Sequence, residues 1–146
     1  SYCKNIEELR QDVAIQVKFF IKEYLASHLD KKDPFRSTGQ AYIQLTKEEP
    51  HLFKIFILHK RNGISSLEDL YQTEADEQIP IFLSQHFNIS ITQAKQLHLD
   101  MLIYTIGIGT IFSVTTPGIS SDEILAQQER IYQILIKNIL EGNHES

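Results

Sequence analysis

The sequence predicts an all-α protein, a helical bundle of about six helices in one domain spanning residues 1–146. Three observations carry this. Ile6, Leu9, Val13, Val17, Phe20 and Tyr24 recur at helical spacing near the start of the chain. Helix-opening residues precede the later apolar runs: Asp33-Pro34, Ser90 with Gln93, and Ser120 with Glu123. No segment alternates apolar and polar residues for more than a few positions, as a half-buried strand would.

Taken in order, Asn5 and Glu8 read as a capping box for a first helix from about Ile6 to His28, with Tyr2 and Cys3 belonging to a preceding element. Pro34 opens a second helix holding Phe35, Ala41, Tyr42 and Leu45. It stops before Pro50, because the residue preceding a proline disfavours helical backbone. A third helix runs from Pro50 to about His59 and is closed by Asn62-Gly63. Ser65 and Glu68 form a capping box for a short turn around Leu67 and Leu70. A helix follows from about Ala75 to Phe87, with Pro80 in its first turn or at a kink. Ser90 and Gln93 open a long helix reaching about Thr116, ended by Pro117-Gly118. The last helix starts after Ser120 and ends near Leu140, leaving 142–146 as a frayed tail.

With 146 residues the chain can bury one core, and 42% apolar with 23% charged residues places it among folded proteins. A net charge of −5 excludes a surface that wraps nucleic acid through bulk electrostatics. The charge is uneven. Residues 34–63 hold five bases and two acids, 5 − 2 = +3, whereas residues 64–83 hold five acids and no base, −5. These are solvated faces, faces that meet each other, or a field that steers a charged ligand. The single cysteine, Cys3, excludes a disulfide framework and gives no zinc-ligand spacing, so a cytoplasmic location is expected. Met101 to Ser121 carries no charge, but Gly107, Gly109, Pro117 and Gly118 interrupt it, so a helix buried in protein is expected and no membrane span.

Catalytic and metal patterns fail on inspection. Gly107-Ile108-Gly109 lacks the third glycine of a dinucleotide loop, with Phe112 in its place. The six histidines include no i, i+4 pair, and His98 and Asp100 point to different helix faces. No serine sits in a nucleophile elbow. The expectation is a protein that is not an enzyme, with no catalytic residue, cofactor or metal.

Two passages carry a likeness. Glu7, Glu8 and Leu9 match the end of a pattern close to Y-x-F-x-x-K-E-E-L, and Tyr2 stands one place from its tyrosine. Tyr42 to Phe56 form a helix–Pro–helix corner around Pro50-His51-Leu52-Phe53. In both, the chain resembles the C-terminal regulatory domain of TetR-family transcriptional regulators, most of them repressors, where the first pattern joins a DNA-reading helix to a linking helix. It departs at Cys3, where the family has an aromatic residue, and at Ile6, where it has a base that meets a DNA phosphate; Lys4 is a possible substitute. The chain does not open on Met, and about 45 residues of helix-turn-helix head are expected to precede it, with residues 1–5 as their remnant.

The resemblance implies a cytoplasmic homodimer whose sensor domain binds a small, mainly hydrophobic effector and touches DNA only through that head. The last two helices would form a four-helix dimer interface, with candidates His98, Leu102, Gly109, Ile124, Gln128, Ile131 and Leu135. On the last helix, Ile124, Gln128, Ile131, Leu135 and Asn138 form one stripe, and Leu125, Tyr132, Ile136, Ile139 and Leu140 a second. The ligand candidates are Phe20, Tyr24, Tyr42, Phe56, His59, Phe82, His86, Met101, Tyr104 and Thr105, apolar or aromatic side chains with a few polar groups among them. The alternative is a helical protein-interaction adaptor without a small ligand.

Overall fold

A computed structural model describes residues 2–115 and 118–145, with side chains described for 4–115 and 118–142. The described residues form seven α-helices and no strand. α1 (Tyr2–Ser27) is followed by α2 (Pro34–Glu48) and α3 (Pro50–Leu58), then the short α4 (Leu67–Glu74) and α5 (Gln78–Phe87), and finally the long α6 (Ile91–Ser113) and α7 (Ser121–Glu145).

The caps explain most of these bounds. The Arg36 backbone N–H donates to Asp33 Oδ1 at 3.2 Å, and Pro34 stands in the first turn of α2. Pro50 does the same for α3 and separates it from α2. Ser90 and Gln93 form a reciprocal capping box at α6, with bonds of 3.1 and 3.0 Å. At α7 the Glu123 N–H donates to Ser120 Oγ at 3.2 Å.

Several expected bounds are corrected. α1 already runs at Tyr2, so Asn5 lies inside a helix and is not its cap; nothing in 2–9 breaks a helix, and extending one is cheaper than nucleating it. The turn around Leu67 is a full helix, which raises the count from six to seven. Its cap is Ser66, which accepts from Asp69 N–H at 3.0 Å, while Ser65 donates through its N–H and hydroxyl to the Asp69 carboxylate. α3 stops at Leu58, before Asn62-Gly63; Gly63, at φ +77, makes a separate turn. α5 starts at Gln78, not Ala75, so Pro80 lies in its first turn. α6 stops at Ser113, where the Thr110, Ser113 and Thr115 hydroxyls turn back onto backbone carbonyls. Thr116 and Pro117, expected to end it, lie outside the described residues. α7 continues through Gly142 to Glu145, because a helical glycine costs only about 1 kcal/mol relative to alanine. Of the tail expected to fray, Ser146 lies outside the described residues.

α2 is the hub, packing against α1, α3, α5, α6 and α7. Its two ends enter two separate apolar clusters. Phe35 joins Ile79, Leu83, Leu97, Met101, Tyr132 and Ile136 in a cluster built on α5, α6 and α7. Leu45 joins Val17, Ile21, Phe53 and Phe56 in a smaller one built on α1 and α3. Leu45 and Leu83 are both 0% exposed, and each buried leucine stabilises by roughly 1.5–3 kcal/mol. Arg36 clasps Glu129 through two N–H···O bonds of 3.1 and 3.0 Å and lies over the Tyr132 ring, tying α2 to α7. Gln128 Nε2 of α7 donates to Thr105 Oγ1 of α6 at 3.0 Å, with both residues buried. Gly39 of α2 gives that amide room, since a Cβ there would stand 3.0 Å from Gln128 Nε2. Among the described residues, no helix is long and apolar enough to cross a membrane.

Candidate functional site

Between the smaller cluster and the solvent lies a cleft of about 310 Å³, at the small end of the range for ligand sites. Four helices supply its walls. α2 gives Tyr42, and α3 gives Phe56 and Ile57. α4 gives Leu70 and Glu74, and the stretch between α3 and α4 gives Arg61. α6 gives Leu102, Ile103, Ile106 and Gly107, two pairs one helical turn apart on adjoining faces.

The polar part of the cleft is an ion pair and a phenol. Arg61 Nε donates to Glu74 Oε1 at 2.6 Å, with both side chains mostly buried. Arg61 Nη1 donates to the carbonyls of Ile57 and His59 at 3.1 and 3.3 Å, and Nη2 to that of Phe56 at 3.1 Å. These are carbonyls at the end of α3, so Arg61 also caps that helix. One residue from the basic stretch thus meets one from the acidic stretch. The Tyr42 hydroxyl makes no hydrogen bond among the described residues. Burial pushes its pKa up to about 12, the Glu74 charge adds to this and Arg61 opposes it, so it is a neutral donor at ordinary pH.

Of the ligand candidates, Tyr42 and Phe56 line this cleft. Met101 and Thr105 line an adjoining cavity of about 30 Å³, room for little more than a water molecule, and both are buried. The other six are elsewhere. Phe20 is exposed on α1. Tyr24 donates to Glu48 at 2.8 Å and stacks on His28. His59 bonds the Phe56 carbonyl through Nδ1 and faces a groove between α1 and α3. Phe82 and His86 stack on each other on α5, and the half-buried Tyr104 is outside the lining.

Four interface candidates are enclosed by the chain's own side chains. His98 is 7% exposed; it is hydrogen-bonded to the Tyr71 hydroxyl at 2.8 Å and meets the Phe35 ring edge-on. Gly109 faces Thr46 and Phe53, Ile124 is core, and Gln128 is spent on Thr105. The core ladder of α7 is Ile124, Gln128, Tyr132 and Ile136, drawn from both expected stripes. Leu102 lines the cleft, and Ile131 and Leu135 are half-buried against the larger cluster. The exposed apolar stripe of α6 is Ile103 and Ile111, with Gly107 between them and Val114 just past the helix end.

Burial holds His98 neutral, its pKa lowered to about 4, although the Asp76 charge partly opposes this. The Tyr71 hydroxyl and Nδ1 share a hydrogen bond of 2.8 Å whose direction is set by the ring tautomer. A second apolar groove runs between α1 and α3, floored by Leu9, Val13, Ile55 and Leu58 and edged by Arg10, Lys54 and Lys60. Among the described residues, no three His, Cys, Asp or Glu side chains are grouped to hold a metal.

The site therefore belongs to the class of all-α proteins with an apolar, ligand-sized cleft between helices. Compared with known protein families, with curated proteins and with solved structures, the chain shows no match.

Proposed function

We propose that this chain is the effector-sensing and dimerisation domain of a TetR-like transcriptional regulator. It binds a small, mainly hydrophobic ligand that alters DNA binding by a helix-turn-helix head joined through α1. The observation that carries the reading is the apolar cleft whose wall includes α3, because α3 packs directly on α1. A ligand wedged against Phe56 and Ile57 displaces α3, and α1 follows as a lever about 39 Å long at 1.5 Å per residue. The homodimer forms through the C-terminal end of α6, with Ile111 at 58% exposure and Val114, just past the helix, at 65%.

Two measurements test this. Size-exclusion with light scattering gives a dimer that Ile111→Glu splits; a strict monomer at tens of micromolar counts against the reading. The neutral dye N-phenyl-1-naphthylamine brightens on binding the wild type and not on meeting Gly107→Leu, which fills the cleft. A second reading, the protein-interaction adaptor, is favoured by the α1–α3 groove with its apolar floor and basic edge. Light scattering that gives a monomer, with no dye bound, selects it.

A further inference from the structure

We propose that the cleft selects uncharged ligands with an apolar body and a single hydroxyl group, an alcohol or a phenol. This rests on the reading of the chain as a sensor of a small hydrophobic molecule and names the chemistry of that molecule.

The walls set the body of the ligand. Phe56, Ile57, Leu70, Leu102 and Ile106 offer no polar side-chain atom.

The ion pair rules out charge of either sign. Arg61 has five N–H donors, and four of them are engaged, one by Glu74 and three by backbone carbonyls. An anionic ligand has to prise Arg61 from Glu74 and leave that carboxylate buried and unmatched. A cationic ligand drawn to Glu74 meets Arg61 beside it. The pair is complete without a ligand, and so has no charge to offer one.

Besides the fifth Arg61 N–H, which lies beside its own carboxylate partner, the cleft holds one unused donor and one unused acceptor. Tyr42 O–H has no hydrogen-bond partner among the described residues, and Glu74 Oε2 accepts no hydrogen bond among them; only Oε1 meets Arg61. Tyr42 and Glu74 both line the cleft, so the two unused groups belong to one site. A ligand hydroxyl accepts from the first and donates to the second. A ketone or ether satisfies only Tyr42, and a hydrocarbon leaves both without a partner.

The test is displacement of N-phenyl-1-naphthylamine from the full chain by 1-octanol, octanoate and octylamine. In the wild type, 1-octanol competes at least tenfold better than either charged probe. Tyr42→Phe weakens 1-octanol about fivefold relative to the dye, one neutral hydrogen bond. Glu74→Gln removes the acid that occupies Arg61, so octanoate gains at least fivefold relative to 1-octanol. Unchanged selectivity in Glu74→Gln, or octanoate matching 1-octanol in the wild type, overturns the proposal while leaving the sensor reading intact. Dye binding that is absent from the wild type, or that survives Gly107→Leu, overturns the sensor site and this proposal with it. No atom lies within 4 Å of where a Gly107 Cβ would stand, so that variant enters open space, and circular dichroism confirms its fold.

Discussion

The two apolar clusters share one helix and do different work. The cluster on α5, α6 and α7 holds nine buried residues and is closed by half-buried Ile131, Leu135 and Ile139. The cluster on α1 and α3 holds five, and three of the half-buried residues packed on its rim, Tyr42, Ile57 and Ile106, also line the cleft. Exposed apolar side chains crowd its side too, with Leu9 at 62% and Leu58 at 80% exposure. The difference teaches where change is tolerated: the larger cluster is a filled base, and the smaller one borders space that a ligand can occupy.

Two leucines of equal burial test that contrast most severely. Leu83→Ala in the larger cluster costs about 4 kcal/mol, because packed neighbours cannot close over the hole. Leu45→Ala in the smaller cluster costs about 2–3 kcal/mol, since its surroundings can relax towards the cleft. Urea unfolding measures both, and equal losses break the comparison.

The next effect depends on pH and belongs to α4 and α6. Unfolded, His98 takes up a proton near pH 6.5; folded, it resists until about pH 4. Its contribution is present above pH 6.5 and is lost as the pH falls towards 4, by up to about 3 kcal/mol. Glu129, its pKa lowered by the bond from Arg36, also weakens the fold in acid. The difference between wild type and His98→Gln across pH 4–7 isolates the histidine; parallel curves refute its part.

Arg61→Met sharpens the picture at the cleft. It leaves Glu74 and three carbonyls without their donor, at a cost of about 2 kcal/mol in thermal or urea unfolding. A loss below about 0.5 kcal/mol would place the pair among ordinary surface contacts.

The smallest effect has opposite signs at two glycines of one helix. Gly109→Ala pushes a methyl to 3.0 Å from Thr46 Cγ2 and 3.2 Å from Phe53 Cζ, both buried, and destabilises by about 1 kcal/mol. Gly107→Ala meets nothing and stabilises by up to about 1 kcal/mol through helix propensity. A matched pair of melting curves decides it.

Local signals carried the fold well wherever a cap and a periodic run stood together. Asp33-Pro34, Ser90 with Gln93 and Ser120 were all legible, because a cap is written within four residues. Asn5 misled because a capping pattern inside an uninterrupted helical stretch leaves no mark of its irrelevance. Tyr42 and Phe56 were legible as cleft residues by chemistry alone. Arg61 and Glu74 were not, since their meeting depends on how α4 folds back across thirteen residues; the opposite charges of their two stretches were the one hint. The burial of His98 was not legible, because periodicity says that a helix face is covered and not by what. Tyr71, on the short α4, does the covering.

The bond between Gln128 and Thr105 sets how the final hairpin can assemble. A one-turn slip of α7 along α6 would bring the amide opposite a different side chain and strand the hydroxyl in an oily interior, a penalty of about 1–3 kcal/mol that no apolar contact refunds. Apolar ladders alone tolerate such slippage; this polar pin admits one alignment. Because Gly39 must give the amide room, α2 and the hairpin settle into place together, and a bulky residue at position 39 would show itself first as slow or heterogeneous refolding.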